Sequence, residues 1–167
     1  MAADWQEASK GLTGEVVLEI VGGQGEITTR CKADCYYRNG SFYLLFEENV
    51  AEDGKRGELS FSSRLKISEG RVTLKRSVSA QKGANSDHAM EMIYEKRAEG
   101  ERGSLVEYPT PYGKLLLEIQ TVELSISVLE EELVAEIEYL LLQEGQEASR
   151  DKLRIRVAKW VNGDGSF

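Results

Sequence analysis

The sequence predicts an all-β fold, a single antiparallel up-and-down barrel of about eight to ten strands. Three observations carry that expectation. Apolar and polar residues alternate with a period of two from Gly14 onward. Turn signals break the alternation every ten residues or so. The connections are too short for the crossovers that parallel strands need, so neighbours must run antiparallel. A meander of that size would leave two open edges, and closure into a barrel removes them, which favours a barrel over a sandwich.

The elements follow in order. Residues 1–13 form an N-terminal extension in which Asp4 can cap a short helix and Glu7, three residues on, completes a capping box. Strands are expected at 14–21, 26–38, 41–48, 58–67, 71–77, 87–97, 103–109, 114–128, 132–142 and 151–161, making 14–161 the barrel and 162–167 a tail. Asn39-Gly40 supplies the two positive-φ residues of a type I′ hairpin. The segment Tyr108-Pro-Thr-Pro-Tyr-Gly113 holds both prolines of the chain. Neither can donate to a ladder, so they mark a strand edge or start.

In the long strand that follows, Leu115, Leu117 and Ile119 share one parity, while Val122, Leu124, Ile126 and Val128 take the other. A continuous ladder would put one set in water. One extra residue near Gln120-Thr121, a β-bulge, restores both sets to the inside.

Charge and composition narrow the function classes. The chain has 167 residues and a net charge of −8, which disfavours nucleic acid and anionic membranes as partners. No apolar run approaches the roughly 18 residues of a membrane span, and no secretory layout opens the chain, so a cytoplasmic protein is expected. Cys31 and Cys35, four apart on one strand, lie about 13 Å from each other, too far for a disulfide. A single histidine precludes a two-histidine metal site within the chain. Nucleotide-binding loops and nucleophile elbows are absent. Catalysis, metal and cofactor are therefore not expected.

The Pro111-Tyr112-Gly113 turn leads into Leu115-x-Leu117 and then Thr121. Arg64-Leu65-Lys66-Ile67 precedes Val72-Thr73-Leu74-Lys75-Arg76, and Ile137-Glu138-Tyr139 precedes Leu153-Arg154-Ile155. Together these resemble the YwiB-like family of small bacterial proteins of unknown function. The resemblance spans roughly residues 14–160. It implies a calycin-type (lipocalin-like) barrel, a bacterial cytosolic setting and no catalytic residues to carry over. Trp5 in the extension and the acidic segment Glu47–Glu58 depart from the pattern.

Phasing assigns an inner face. On it Arg76 continues the row of Val72 and Leu74, beside His88, Met90, Met92 and Tyr94, with Tyr37 and Tyr139 also inward. No carboxylate falls in the apolar rows so counted. An unpaired guanidinium inside a barrel is costly, so an anionic ligand is one expected partner, with the methionines and tyrosines lining its apolar part. The other reading puts Arg76 at the rim, stacked on Tyr or Trp5 and reaching solvent. Outward, Glu138 is expected to face Arg154 and Glu136 to face Arg156, which explains the basic C-terminal run without nucleic acid. Two functions compete: a barrel binding a small apolar or anionic amphipathic ligand, and a packed barrel serving as a protein-interaction module, with an outer patch around Trp160, Val134 and Leu140.

Overall fold

The structure is a computed structural model that describes residues 12–23, 25–52, 55–79, 89–110, 112–130 and 132–159. Its strands are β1 (Leu12–Gly22), β2 (Gly25–Arg38), β3 (Ser41–Glu52), β4 (Lys55–Ser68), β5 (Arg71–Ser79), β6 (Ala89–Glu95), β7 (Ser104–Thr110), β8 (Gly113–Val128), β9 (Glu132–Gln143) and β10 (Gln146–Lys159). The expected N-terminal extension with its short helix, residues 1–13, lies outside the described residues except for Leu12 and Thr13, which belong to β1. His88, Pro111 and Trp160 lie outside them too.

Every strand pairs antiparallel with its neighbours in sequence except β6 with β7, and β1 pairs with β10, so Val16 faces Val157 and Ile20 faces Leu153. The result is an up-and-down ring, nearly closed, with one seam between β6 and β7. Side chains rather than a ladder bridge that seam. The Glu95 N–H donates to Thr121 Oγ1 of β8 (3.0 Å), and Arg97 Nη2 donates to Ser104 Oγ of β7 (3.1 Å).

Local chemistry explains the turns. Asn39 and Gly40 have φ of 52° and 79°, the pair of left-handed residues that a two-residue I′ hairpin requires. Glu144 and Gly145 repeat this at 52° and 80° between β9 and β10. The bulge in β8 falls at Val122: Thr121 faces Tyr139, whereas Glu123 faces Glu138. Leu117 and Ile119 upstream and Leu124, Ile126 and Val128 downstream thereby all pack on the core.

Five strands begin earlier than expected, β2 at Gly25 and β8 at Gly113 by a single residue, and β1 at Leu12, β4 at Lys55 and β10 at Gln146 by more. The last is hidden in the sequence by a second bulge between Glu147 and Ser149, which breaks the alternation there.

The core lies inside the ring. Val16, Leu44, Leu65, Ile67, Val72, Leu133, Ile155 and Val157 are almost wholly removed from solvent. Cys31 and Cys35 are buried free thiols, as their spacing requires. Ile27 shares the inner face with its partner Ile20 but is 56% exposed, because it sits next to the β1–β2 turn, past the packed layers.

Candidate functional site in the barrel interior

Two interior features stand out: a charged cluster at mid-barrel and an apolar mouth at one end. The cluster is built on β3, β4 and β5. In the register Ser63 faces both Phe46 and Arg76, and Glu48 follows two residues after Phe46 on the same face. Arg76 Nε donates to Glu48 Oε2 (2.8 Å) and Nη2 donates to Oε1 (3.0 Å). Ser63 Oγ donates to Glu48 Oε2 at 2.7 Å. This is a bidentate fork with a third donor, the geometry in which a buried carboxylate is best satisfied. Glu48 is 4% exposed, and the Arg76 side chain 22%.

The expectation of an inner face without carboxylates is therefore wrong. Glu48 lies within the expected strand, and its backbone continues the parity of Phe42, Leu44 and Phe46 although its charge ends the apolar row. Arg76 is neutralised within the chain, so the barrel needs no ligand anion for that purpose. A second carboxylate, Asp151, stands opposite the inward Tyr139 and accepts from Ser149 Oγ (3.2 Å). A Cβ on Gly22 would overlap its Oδ1, so the glycine gives Asp151 its room.

Beside the ion pair, Tyr94 and Tyr139 are hydrogen-bonded, with ring centroids 5.1 Å apart. Burial pushes the Tyr94 hydroxyl up to about 12, and the nearby Arg76 charge opposes the shift. Burial raises Tyr139 as well. Cys31 is raised by burial and then by the Glu48 charge, with Arg76 again opposing. Met90 is buried and Met92 half-buried on the same cluster.

Tyr37 is elsewhere. It packs on Phe42 (4.7 Å between centroids) at the end of the barrel where the β2–β3 and β4–β5 hairpins turn. There Tyr37, Phe42 and Ile67 face Leu124, Ile126 and Val128 of β8 across a cavity of about 330 Å³. The structure thus divides the candidate ligand residues between two places: Arg76, Met90, Met92, Tyr94 and Tyr139 at mid-barrel, and Tyr37 at the mouth. Of the turn motif, Tyr112 is exposed, Gly113 has φ 120°, and Thr121 is the acceptor at the seam. The mouth itself is half legible in the sequence, since the change of parity along β8 requires Leu124, Ile126 and Val128 to turn inward.

The outer face is mixed in charge. A groove of about 460 Å³ crosses it, with Glu19, Glu123, Glu136 and Glu138 beside Lys152 and Arg154. The expected ladder is displaced by one pair, because Arg154 faces Glu136 and Lys152 faces Glu138. The turn sets Gln143 opposite Gln146, and the bulge then adds one residue to the register. Ion pairs form diagonally instead, Arg150 with Glu138 at 2.6 Å and Arg156 with Glu132 at 2.5 Å. Val134 and Leu140 are half-buried. Among the described residues, no group of three or more His, Cys, Asp or Glu could hold a metal, and no helix is long and apolar enough to cross a membrane.

Fold and site together define a small antiparallel barrel, nearly closed, with an internal ion pair and an apolar mouth. The chain belongs to the family described as Domain of unknown function (DUF1934), whose pattern matches residues 16–155. The crystal structure of the ywiB protein from Bacillus subtilis resembles it at a TM-score of 0.65 and 19% identity, over 90% of this chain and 94% of that one. At that identity the likeness shows the fold, and it supports the resemblance read from the Pro-Tyr-Gly turn. Among curated proteins, none matches.

Proposed function

We propose that the protein is a cytoplasmic, calycin-like binding barrel whose mouth takes up a compact, uncharged apolar molecule. One observation carries the reading. Leu124, Ile126 and Val128 point inward yet stay partly wet, facing Tyr37, Phe42 and Ile67 across about 330 Å³. That volume and lining match ordinary small-molecule sites. Each 100 Å² of this surface that a ligand covers contributes about 2.5 kcal/mol. Ser68, whose hydroxyl lies 2.9 Å from that of Ser41, is a polar group at the rim. An uncharged ligand fits better than an anionic one, because Glu48 already engages the Arg76 fork.

The test is a fluorescence titration with N-phenyl-1-naphthylamine, a neutral apolar probe. Saturable one-to-one binding is expected in the wild type. Val128→Trp, which fills the mouth, should abolish it while far-UV circular dichroism stays unchanged. Binding that never saturates, or that survives Val128→Trp, refutes the proposal.

A further inference from the structure

Eight large apolar side chains are exposed among the described residues, and four of them (Leu105, Tyr108, Tyr112 and Leu116) sit on the β7–β8 hairpin. On its outer face Leu105 and Leu116 join Leu142 of β9 around a groove of about 500 Å³. β7 is also an end strand of the sheet, with no ladder on its far side among the described residues. Tyr108, opposite Leu115, takes the other parity, so the outer patch is made by Leu105, Leu116 and Leu142. Exposed apolar surface of this kind on an edge hairpin calls for a covering partner.

The charges identify that partner. The outward row of β8 reads Lys114, Leu116, Glu118. A two-fold axis through Leu116 maps this row onto itself in reverse. Lys114 of each copy then meets Glu118 of the other, and the two Leu116 side chains meet at the axis. A strongly acidic or basic partner would leave one of the two charges opposed, whereas a second copy opposes neither.

We propose that this face is an isologous contact between two copies of the chain. Glu118 is preset for it, because its carboxylate is anchored by the Gly103 N–H (2.9 Å) and by Arg102 (3.5 Å). Lys114 is easily redirected. It lies 3.3 Å from Glu107, with both side chains more than half exposed, and such a pair contributes little. Leu116 is 52% exposed and Leu105 47%, so the contact buries apolar surface that folding alone leaves wet. The mouth opens on the inner face and takes no part in the contact.

Sedimentation equilibrium of the full chain, from about 1 to 200 µM, tests this. A monomer–dimer equilibrium is expected. Leu116→Glu should give monomer throughout, and Lys114→Glu, which places two acids in the row, should weaken association at least tenfold. Leu45→Glu, on the outer face of β3, is the control and should associate as the wild type does. A wild type that stays monomeric overturns the proposal, as does a dimer indifferent to Leu116→Glu.

Discussion

Glu48 is the residue on which the interior turns. Its carboxylate accepts from Arg76 twice and from Ser63 once, so removing its charge strands a guanidinium that is only 22% exposed. Glu48→Gln should therefore cost roughly 2–4 kcal/mol, toward the lower end for a buried pair because Arg76 keeps some solvent. Replacing both, as Glu48→Gln with Arg76→Met, should recover most of that loss. Urea unfolding measures both variants, and a single substitution as stable as the wild type would contradict the assignment.

The buried acids make a separate prediction about pH. Burial, helped by the Asp34 charge, moves the Cys35 thiol from its ordinary 9.0 up to about 12, and burial moves Tyr94 from 10.0 to about 12. The folded pKa is raised, so the unfolded chain releases these protons first. The stabilising contribution is complete below about pH 9 and fades as the pH climbs from 9 toward 12. The melting temperature should fall between pH 8.5 and 10.5, and Cys35→Ala should lessen the fall. A flat profile across that window would count against the burial of both groups.

At the scale of the strand, β8 decides how the ring closes. Its upstream half pairs with β7 and its downstream half extends past β7 to form one wall of the mouth. The extra residue Val122 lets both halves face inward. Deleting Val122 should turn Leu124, Ile126 and Val128 toward water and cost about 3–5 kcal/mol. Thermal unfolding followed by circular dichroism would show it, and an unchanged midpoint would mean that the ladder does not need the bulge. This bulge was legible in the sequence because two long apolar runs of opposite parity abut. The bulge at Ala148 was not, since Glu147, Ala148 and Ser149 are too polar and small to declare a face. Glu48 was missed for a related reason. A charged residue ends an apolar row by composition, although the backbone carries the alternation onward, and only its contact with Arg76 explains why it points inward.

For the whole molecule, alternation and turn spacing were enough to infer an antiparallel ring, yet not its seam. A seam depends on which strand ends first, and that is set by the short lengths of β6 and β7 against the sixteen residues of β8. The β8 strand outruns β7, and its downstream half faces the β2–β3 and β4–β5 turns across the apolar mouth. The central claim is that this mouth, and not the ion pair or the outer hairpin, receives the ligand. Methyl-labelled Leu, Ile and Val spectra recorded during titration with N-phenyl-1-naphthylamine test it most directly. The account predicts shifts at Leu124, Ile126, Val128 and Ile67, with Leu105 and Leu116 unmoved. Shifts confined to Leu105 and Leu116, or none at Leu124, Ile126 and Val128 at saturation, would contradict it.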